Sequence, residues 1–216
     1  MSDLTQFQHP RFARRYIGIS DRLEQLGVGD LRRELLQGLH GCVVDVGCGD
    51  GKNFRHYPPT VTRVVAVEPD DVLRRHAEQN AASAAVPVDV VAGHADDVPV
   101  ADGSADAVVM TLVLCSVPDL GTALTEVNRV LRPGGELRFG EHVRAQNRVA
   151  ALAQDALTPL SRRVDGNCHQ NRDTAAALER SPLTVTRLRR FGLRVAALLP
   201  GQPMIVGTAV KPPTGP

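Results

Sequence analysis

The stretch Val43-Val44-Asp45-Val46-Gly47-Cys48-Gly49-Asp50-Gly51-Lys52 decides how the rest of the chain is read. The valines around Asp45 read as a short buried strand that stops at Gly47. Glycines at 47, 49 and 51 let the backbone turn and lie against a ligand with no Cβ in the way. A helix is expected to follow, over Asn53 to Tyr57 until Pro58-Pro59 ends it, with its free N–H groups turned toward an anion. A dinucleotide fingerprint, G-x-G-x-x-G, would need glycine at 52, where this chain has Lys52. The pattern is instead D-x-G-x-G-x-G, with an acid inside the strand.

Outward from that loop, strands and helices alternate. Val64-Val65-Ala66-Val67 reads as a second buried strand ending at Glu68-Pro69-Asp70. A doubly wound sheet binds its ligand at the carboxyl ends of its strands, so Glu68 is placed to take two ribose hydroxyls. A helix over Val72–Ala84 and a strand over Val88–Val91 lead to the turn Gly93-His94-Ala95-Asp96-Asp97-Val98-Pro99. The run from Asp106 to Leu114 is the most continuous apolar segment, suited to the middle of a parallel sheet covered on both faces. It empties into Cys115-Ser116-Val117-Pro118-Asp119. A helix over 120–131 is broken by Arg132-Pro133-Gly134-Gly135-Glu136, and a strand over Leu137–Gly140 delivers Glu141 and His142 to the same rim. From Gln146 to Arg180 the pattern is helical and polar, interrupted at 165–171, and two final strands are expected at Thr184–Leu193 and Met204–Val210. Residues 1–40 form a helical cap in which Phe12, Tyr16 and Ile19 recur at helical spacing. The domain proper is expected over 41–211, with 146–182 as a helical insert capping the substrate pocket and 212–216 as a frayed tail.

Composition narrows the chemistry. At 216 residues the chain fits one domain. A net charge of +1, few aromatics and no Trp argue against nucleic acid as partner. Cys42, Cys48, Cys115 and Cys168 have no C-x-x-C spacing, so neither a zinc site nor a disulfide framework is expected, and no metal. The first residues lack a basic segment followed by an apolar one, and no apolar run approaches the length of a bilayer span. A cytoplasmic protein without a membrane anchor is expected, as monomer or homodimer.

The pattern D-x-G-x-G-x-G resembles motif I of class I methyltransferases that use S-adenosylmethionine. The resemblance implies an α/β, Rossmann-like fold: a seven-stranded, mostly parallel sheet with helices on both faces and the last strand antiparallel. It implies that Asp45, Gly47, Cys48, Gly49, Gly51 and Asn53 cradle the amino-acid end of that cofactor, with Glu68 and Pro69 at its ribose. The turn at 93–99 resembles the adenine-binding motif of small-molecule methyltransferases. That motif carries an acid directly after the glycine, where this chain has His94, so Asp96 is the substitute acceptor. The Ala95 N–H would serve the ring, and Leu114 would close the cofactor side of the rim.

Several segments resemble one branch, the methyltransferase-like family that includes animal thiol S-methyltransferases. They are 51–59, Thr111–Val117, Glu126–Gly135, Glu141-His142-Val143, Asp165–Arg172 and 177–181. Those animal relatives carry an apolar N-terminal anchor, where this chain has Arg-rich helices. The branch implies methylation of a small-molecule thiol; oxygen, nitrogen or carbon of a quinone or secondary metabolite stays open as the alternative. A nucleic-acid enzyme is disfavoured because the fourth strand ends Leu-Cys-Ser-Val, without an Asn/Asp-Pro-Pro-aromatic cradle.

A thiol needs little beyond loss of its proton, since its pKa is about 8.5 and the thiolate is the nucleophile. His142 is the candidate base or thiolate stabiliser, with Glu141 to orient it; the competing reading of His142 is a backbone-bonded pocket floor. Tyr16, Cys115, Ser116, Asn167, His169 and Arg172 are the candidate substrate-pocket residues. For Tyr16 packing competes with a lid role, and for the last three turn chemistry competes with ligand contact. Cys115 reads as a small buried residue at a strand end and Cys168 as a lid residue, so neither is read as a covalent methyl carrier.

Overall fold

The computed structural model describes residues 3–194 and 201–213. Seven strands form one sheet: β1 (Gly41–Val46), β2 (Val61–Val67), β3 (Val88–Val91), β4 (Ala105–Thr111), β5 (Leu131–His142), β6 (Thr184–Leu193) and β7 (Gln202–Val210). Their order is β3-β2-β1-β4-β5-β7-β6. The first five run parallel, and β7 lies antiparallel between β5 and β6. This is the mostly parallel seven-stranded architecture expected from the sequence. The chain winds outward from β1 in one direction through β2 and β3, then returns to β4 on the other side. The crevice at the carboxyl ends of β1 and β4 is therefore a topological switch point, the place where such sheets bind ligands.

Helices cover both faces: α1 (Pro10–Leu23), α2 (Gly29–Leu36), α3 (Asp71–Ala81), α4 (Leu120–Val130), α5 (Arg148–Val164) and α6 (Thr174–Glu179). Strand alternation divides the core into two layers. Val44, Val46, Val108 and Met110 pack with α4 and α6, whereas Val43, Val64, Ala66 and Val109 pack with α2 and α3. Short polar residues start the helices. Asp70 accepts from the N–H groups of Val72 and Leu73, Asp119 from that of Thr122, and Asn147 from those of Val149 and Ala150.

Four local expectations are corrected. The helix after the glycine loop is a single 3-10 turn, Phe54–His56. Buried Phe54 and the Pro58-Pro59 pair leave no room for a second turn. β4 ends at Thr111 rather than Leu114, because Leu112 adopts φ +62° and turns the chain off the sheet. Arg132-Pro133-Gly134-Gly135 does not separate α4 from β5 but forms an irregularity inside β5: Leu131 pairs with Ala105, and regular pairing resumes at Glu136 with Ala107. In α1, Ile19 is exposed and the buried positions are Ala13 and Ser20. Of the tail, 214–216 lies outside the described residues.

Candidate active site

Gly47, Gly49 and Gly51 all have positive φ, at +68°, +61° and +81°, a region that L side chains rarely adopt. The N–H groups of Gly47 and Cys48 both donate to Val67 O, at 2.8 and 3.1 Å, which ties the loop to the end of β2. A Cβ at Gly47 would lie 2.6 Å from Val113 and one at Gly51 2.5 Å from the Phe54 ring. At Gly49 the nearest atom would be Cε1 of Tyr16, 3.7 Å away. Gly47 and Gly51 thus serve packing, and Gly49 is the position where a Cβ would meet nothing closer than van der Waals contact with the Tyr16 ring.

Glu68 stands at the carboxyl end of β2. Its carboxylate accepts from the N–H of Gly49 and that of Asp70, both at 2.9 Å, and it is buried. Burial pushes its pKa up to about 7, against the pull of those two backbone bonds. Asp45, expected to help hold the amino-acid end of the cofactor, has its carboxylate bonded within the chain. Alternation along β1 turns it to the α2 side, where it accepts from Asn53 Nδ2 at 3.1 and 3.0 Å and from the Tyr57 hydroxyl at 2.9 Å. Burial raises it to about 6. Asn53 Oδ1 in turn accepts from Arg32 at 2.7 Å, and Arg32 also donates to Glu24 at 2.8 Å and to the Tyr16 hydroxyl at 3.3 Å. The chain has two tyrosines, and both end this network. Sequence reasoning missed Arg32 and Tyr57; an arginine on the otherwise apolar face of Leu31, Leu35 and Leu36 was the available signal.

At the end of β3, the His94 ring stacks on Phe7 with centroids 4.7 Å apart, and its Nδ1 accepts from Asp96 N at 3.3 Å. Asp96 Oδ1 is buried with no partner among the described residues. Burial raises the Asp96 pKa. Ala95 is buried. Pro69 O accepts from Gln8 Nε2 at 2.7 Å and Asp70 accepts from His9 N at 2.8 Å, so the N-terminal segment is latched across this corner. A bare glycine backbone, a carboxylate at the end of β2 and an orphaned carboxylate oxygen after β3 match the needs of an adenosine group carrying a charged amino-acid arm.

The second half of the site is built by the ends of β4 and β5 and by the turn between α5 and α6. Glu141 is fully buried and accepts from the N–H groups of Val113 and Cys115, at 3.0 and 3.2 Å. Burial pushes its pKa well above the carboxylate range. Neighbouring strand residues point to opposite faces, so Glu141 shapes the 112–115 turn and does not orient His142. His142 Nε2 lies 3.0 Å from Gln202 Oε1, and its Nδ1 lies 3.5 Å from Cys168 Sγ and 3.9 Å from Cys115 Sγ. Burial pulls the imidazole pKa down, but the interactions with Cys115, Glu141 and Gln202 outweigh it and the net shift is upward. The paired Cys168 thiol, then burial, raise Cys115.

The 165–172 turn is bonded to this rim at four points. His169 N donates to Cys115 O at 2.7 Å, and Asn167 Nδ2 donates to Ser116 O at 3.1 Å. Arg172 donates to Leu114 O at 2.9 Å and Val117 O at 2.7 Å. Asn167 and Arg172 are thus pins of the insert before they are ligand contacts. Burial, then Arg172, depress the His169 pKa. Gln202 and the approach of Cys168 to Cys115 were not foreseen from the sequence. No helix among the described residues is long and apolar enough to cross a membrane.

Comparison with known proteins agrees with this geometry. The family described as "Methyltransferase domain" matches residues 44–139. The chain is 36% identical over 173 residues to thiol S-methyltransferase TMT1B of Rattus norvegicus, covering 78% of this chain and 70% of that one. The chain belongs to the class I S-adenosylmethionine-dependent methyltransferases. A malonyl-[acyl-carrier protein] O-methyltransferase of Yersinia pestis is 32% identical over 132 residues, 60% of this methyltransferase and 44% of that enzyme. Among solved structures, geranyl diphosphate methyltransferase in complex with S-adenosylmethionine superposes with a TM-score of 0.68 at 17% identity. That match covers 96% of this chain and 93% of the other, and at this identity it speaks for the fold alone.

Proposed function

We propose that this methyltransferase acts on sulfur, methylating the thiol of a small molecule such as a reduced disulfide metabolite or xenobiotic. One observation carries the reading. The segments 111–117, 141–143 and 165–172, which resemble the thiol S-methyltransferase branch, are distant in sequence yet assemble into one rim at the ends of β4 and β5. The glycine loop, by contrast, is shared by methyltransferases of every acceptor class and has no bearing on this choice.

In this reading Gly49 and the backbone around it hold the amino-acid end of S-adenosylmethionine, Glu68 takes the ribose hydroxyls and Asp96 Oδ1 the adenine amino group. Asp45 acts through Asn53 as a positioning residue. Bound there, the cofactor supplies an electrophilic methyl group on a sulfonium. The chain's own work is to bring the acceptor in line, which contributes several kcal/mol, and to favour its thiolate. His142 serves the second purpose. Its Nε2–H is held by Gln202 Oε1, which leaves Nδ1 as the unprotonated nitrogen turned to the rim.

The test is a panel of alkyl and aryl thiols, phenols and catechols incubated with enzyme and S-adenosylmethionine, scored by mass of the methylated product. Turnover of thiols is expected; turnover of phenols with none on thiols would sink the sulfur assignment. The similarity to a malonyl-[acyl-carrier protein] O-methyltransferase supports a second reading, methylation of a carboxylate oxygen, and a malonyl thioester belongs in the same panel.

A further inference from the structure

Cys115, His142 and Cys168 come from the β4 exit, the end of β5 and the α5–α6 turn, 27 and 26 residues apart. Their donor atoms nevertheless form a compact triangle. The two sulfurs are 3.6 Å apart, and His142 Nδ1 lies 3.9 Å from Cys115 Sγ and 3.5 Å from Cys168 Sγ. A tetrahedral zinc ion, with bonds of about 2.3 Å to sulfur and about 2.0–2.1 Å to nitrogen, has S···S edges of about 3.8 Å and S···N edges of about 3.6 Å. The triangle has the size of one face of that tetrahedron.

Two further features fit a cation. Ligating imidazoles donate their second N–H to a fixed acceptor, and the bond from His142 Nε2 to Gln202 Oε1 at 3.0 Å does this. Two thiolates and an imidazole are also the donor set that selects zinc over magnesium or calcium. A disulfide would use the sulfurs alone and leave Nδ1 facing both of them without a partner; a cation uses all three atoms. Among the described residues no fourth Cys, His, Asp or Glu joins the cluster. Three-ligand zinc sites keep their fourth position for a ligand from solution.

We propose that Cys115, Cys168 and His142 Nδ1 bind one zinc ion at the acceptor rim, with the fourth position open to a thiolate. The choice of fourth ligand rests on the thiol reading above; the three-donor site does not. Cys115 and Cys168 bind as thiolates, their protons passing to solvent, and an incoming thiol loses its proton in the same way. With Nδ1 committed to the cation, the metal in place of a free imidazole would supply the thiolate at neutral pH that a free thiol, with a pKa of about 8.5, provides only in small fraction. It would also clamp the insert to the sheet.

The experiment uses the full chain, purified reduced and stripped with a chelator. It is titrated with Zn²⁺ against a chromogenic competitor and with Co²⁺ under visible spectroscopy. One equivalent of tightly held metal is expected, with the thiolate-to-cobalt charge transfer and intense d–d bands of a tetrahedral site, shifted on addition of benzyl mercaptan. Cys115→Ser and Cys168→Ser should each weaken binding at least roughly 100-fold, and Gln202→Leu, which keeps all three ligands, roughly 10-fold. Cys42→Ser, outside the cluster, should bind as wild type. Thermal melts of each variant separate lost binding from lost folding, and the cobalt spectrum of the unaltered chain needs no variant. Failure to hold stoichiometric metal at micromolar concentration overturns the site, as does a Cys115–Cys168 disulfide in the fresh protein with no metal bound. Full thiol turnover by stripped enzyme overturns the open thiolate position and leaves the thiol reading standing. Tight metal with no spectral response to thiols, and no thiol turnover, overturns the open thiolate position and the thiol reading together.

Discussion

The two ends of the crevice are built by different means. At the cofactor end the proposed groups sit on one short stretch, Asp45 to Asn53, on the first residue after the next strand, Glu68, and on Asp96 in the turn after the third. Its distant members, Tyr16 and Arg32, support the loop from outside. At the acceptor end nothing is local. Cys115, His142 and Cys168 meet only because β4 and β5 are neighbours and because four hydrogen bonds dock the 165–172 turn onto the β4 exit. The first arrangement fixes a donor common to a whole superfamily, whereas the second can change by altering one insert.

The contrast can be broken most severely at Arg32. It is buried, paired to half-buried Glu24 and bonded to Asn53, so truncation leaves Glu24 with His56 alone and frees the loop. Arg32→Ala should destabilise the protein by about 3–5 kcal/mol. At this chain length that lowers Tm by roughly 10 °C, read by calorimetry or circular dichroism. A shift under 2 °C would show that the network is not holding the loop.

His142→Ala should separate the two ends. S-adenosylhomocysteine should bind within about twofold of wild type by calorimetry, while turnover of an alkyl thiol falls roughly 100-fold, the scale of a lost proton-handling group. A low-pKa aryl thiol, already ionised, should lose much less. Equal losses for both thiols would remove His142 from thiolate formation.

Glu68→Ala tests the other end. Losing a charged hydrogen bond worth about 1.5–3 kcal/mol should weaken S-adenosylhomocysteine binding roughly 10- to 100-fold. The thiol's apparent affinity at saturating cofactor should stay unchanged. Unaltered binding of the product would remove Glu68 from the ribose.

The most gradual effect is a pH dependence of stability without cofactor. Glu68 has a folded pKa raised from 4.5 to about 7, and Asp45 one raised from 3.8 to about 6. Folding therefore takes up protons between these values. The cost of burying each charge is absent below the unfolded pKa and complete above the folded one. Stability should fall as pH rises from about 4.5 to 7, by at most about 1.4 kcal/mol per pH unit for each group. Glu68→Gln should flatten the upper part of that slope in thermal melts; an unchanged slope would assign it to other groups.

How much of this was legible in the sequence follows from the same contrast. Buried parallel strands are runs of valine and the glycine loop is contiguous, so the strands, the loop and Glu68 could be read in line. The exit of β4 was misplaced because hydropathy continues through Leu114 while the backbone turns at Leu112, and φ is not written in hydropathy. Asp45 was read as a cofactor residue because its motif position is plain. Its partners Asn53 and Tyr57 become visible only when alternation along β1 is set against α2. Glu141 was assigned to His142 for sequence adjacency, although adjacency in a strand means opposite faces.

The sequence by itself determined where the strands and the glycine loop fall, because these rest on periodicity and on backbone conformations that glycine alone tolerates; the seven-stranded sheet and the class of cofactor it implied through resemblance to a known motif. The cysteine spacing excluded a zinc site by every local rule. Only the tertiary structure could bring two thiols and an imidazole within 4 Å of one another, because their encounter depends on strand neighbours and on the docking of an insert, contacts with no short-range signature in the chain.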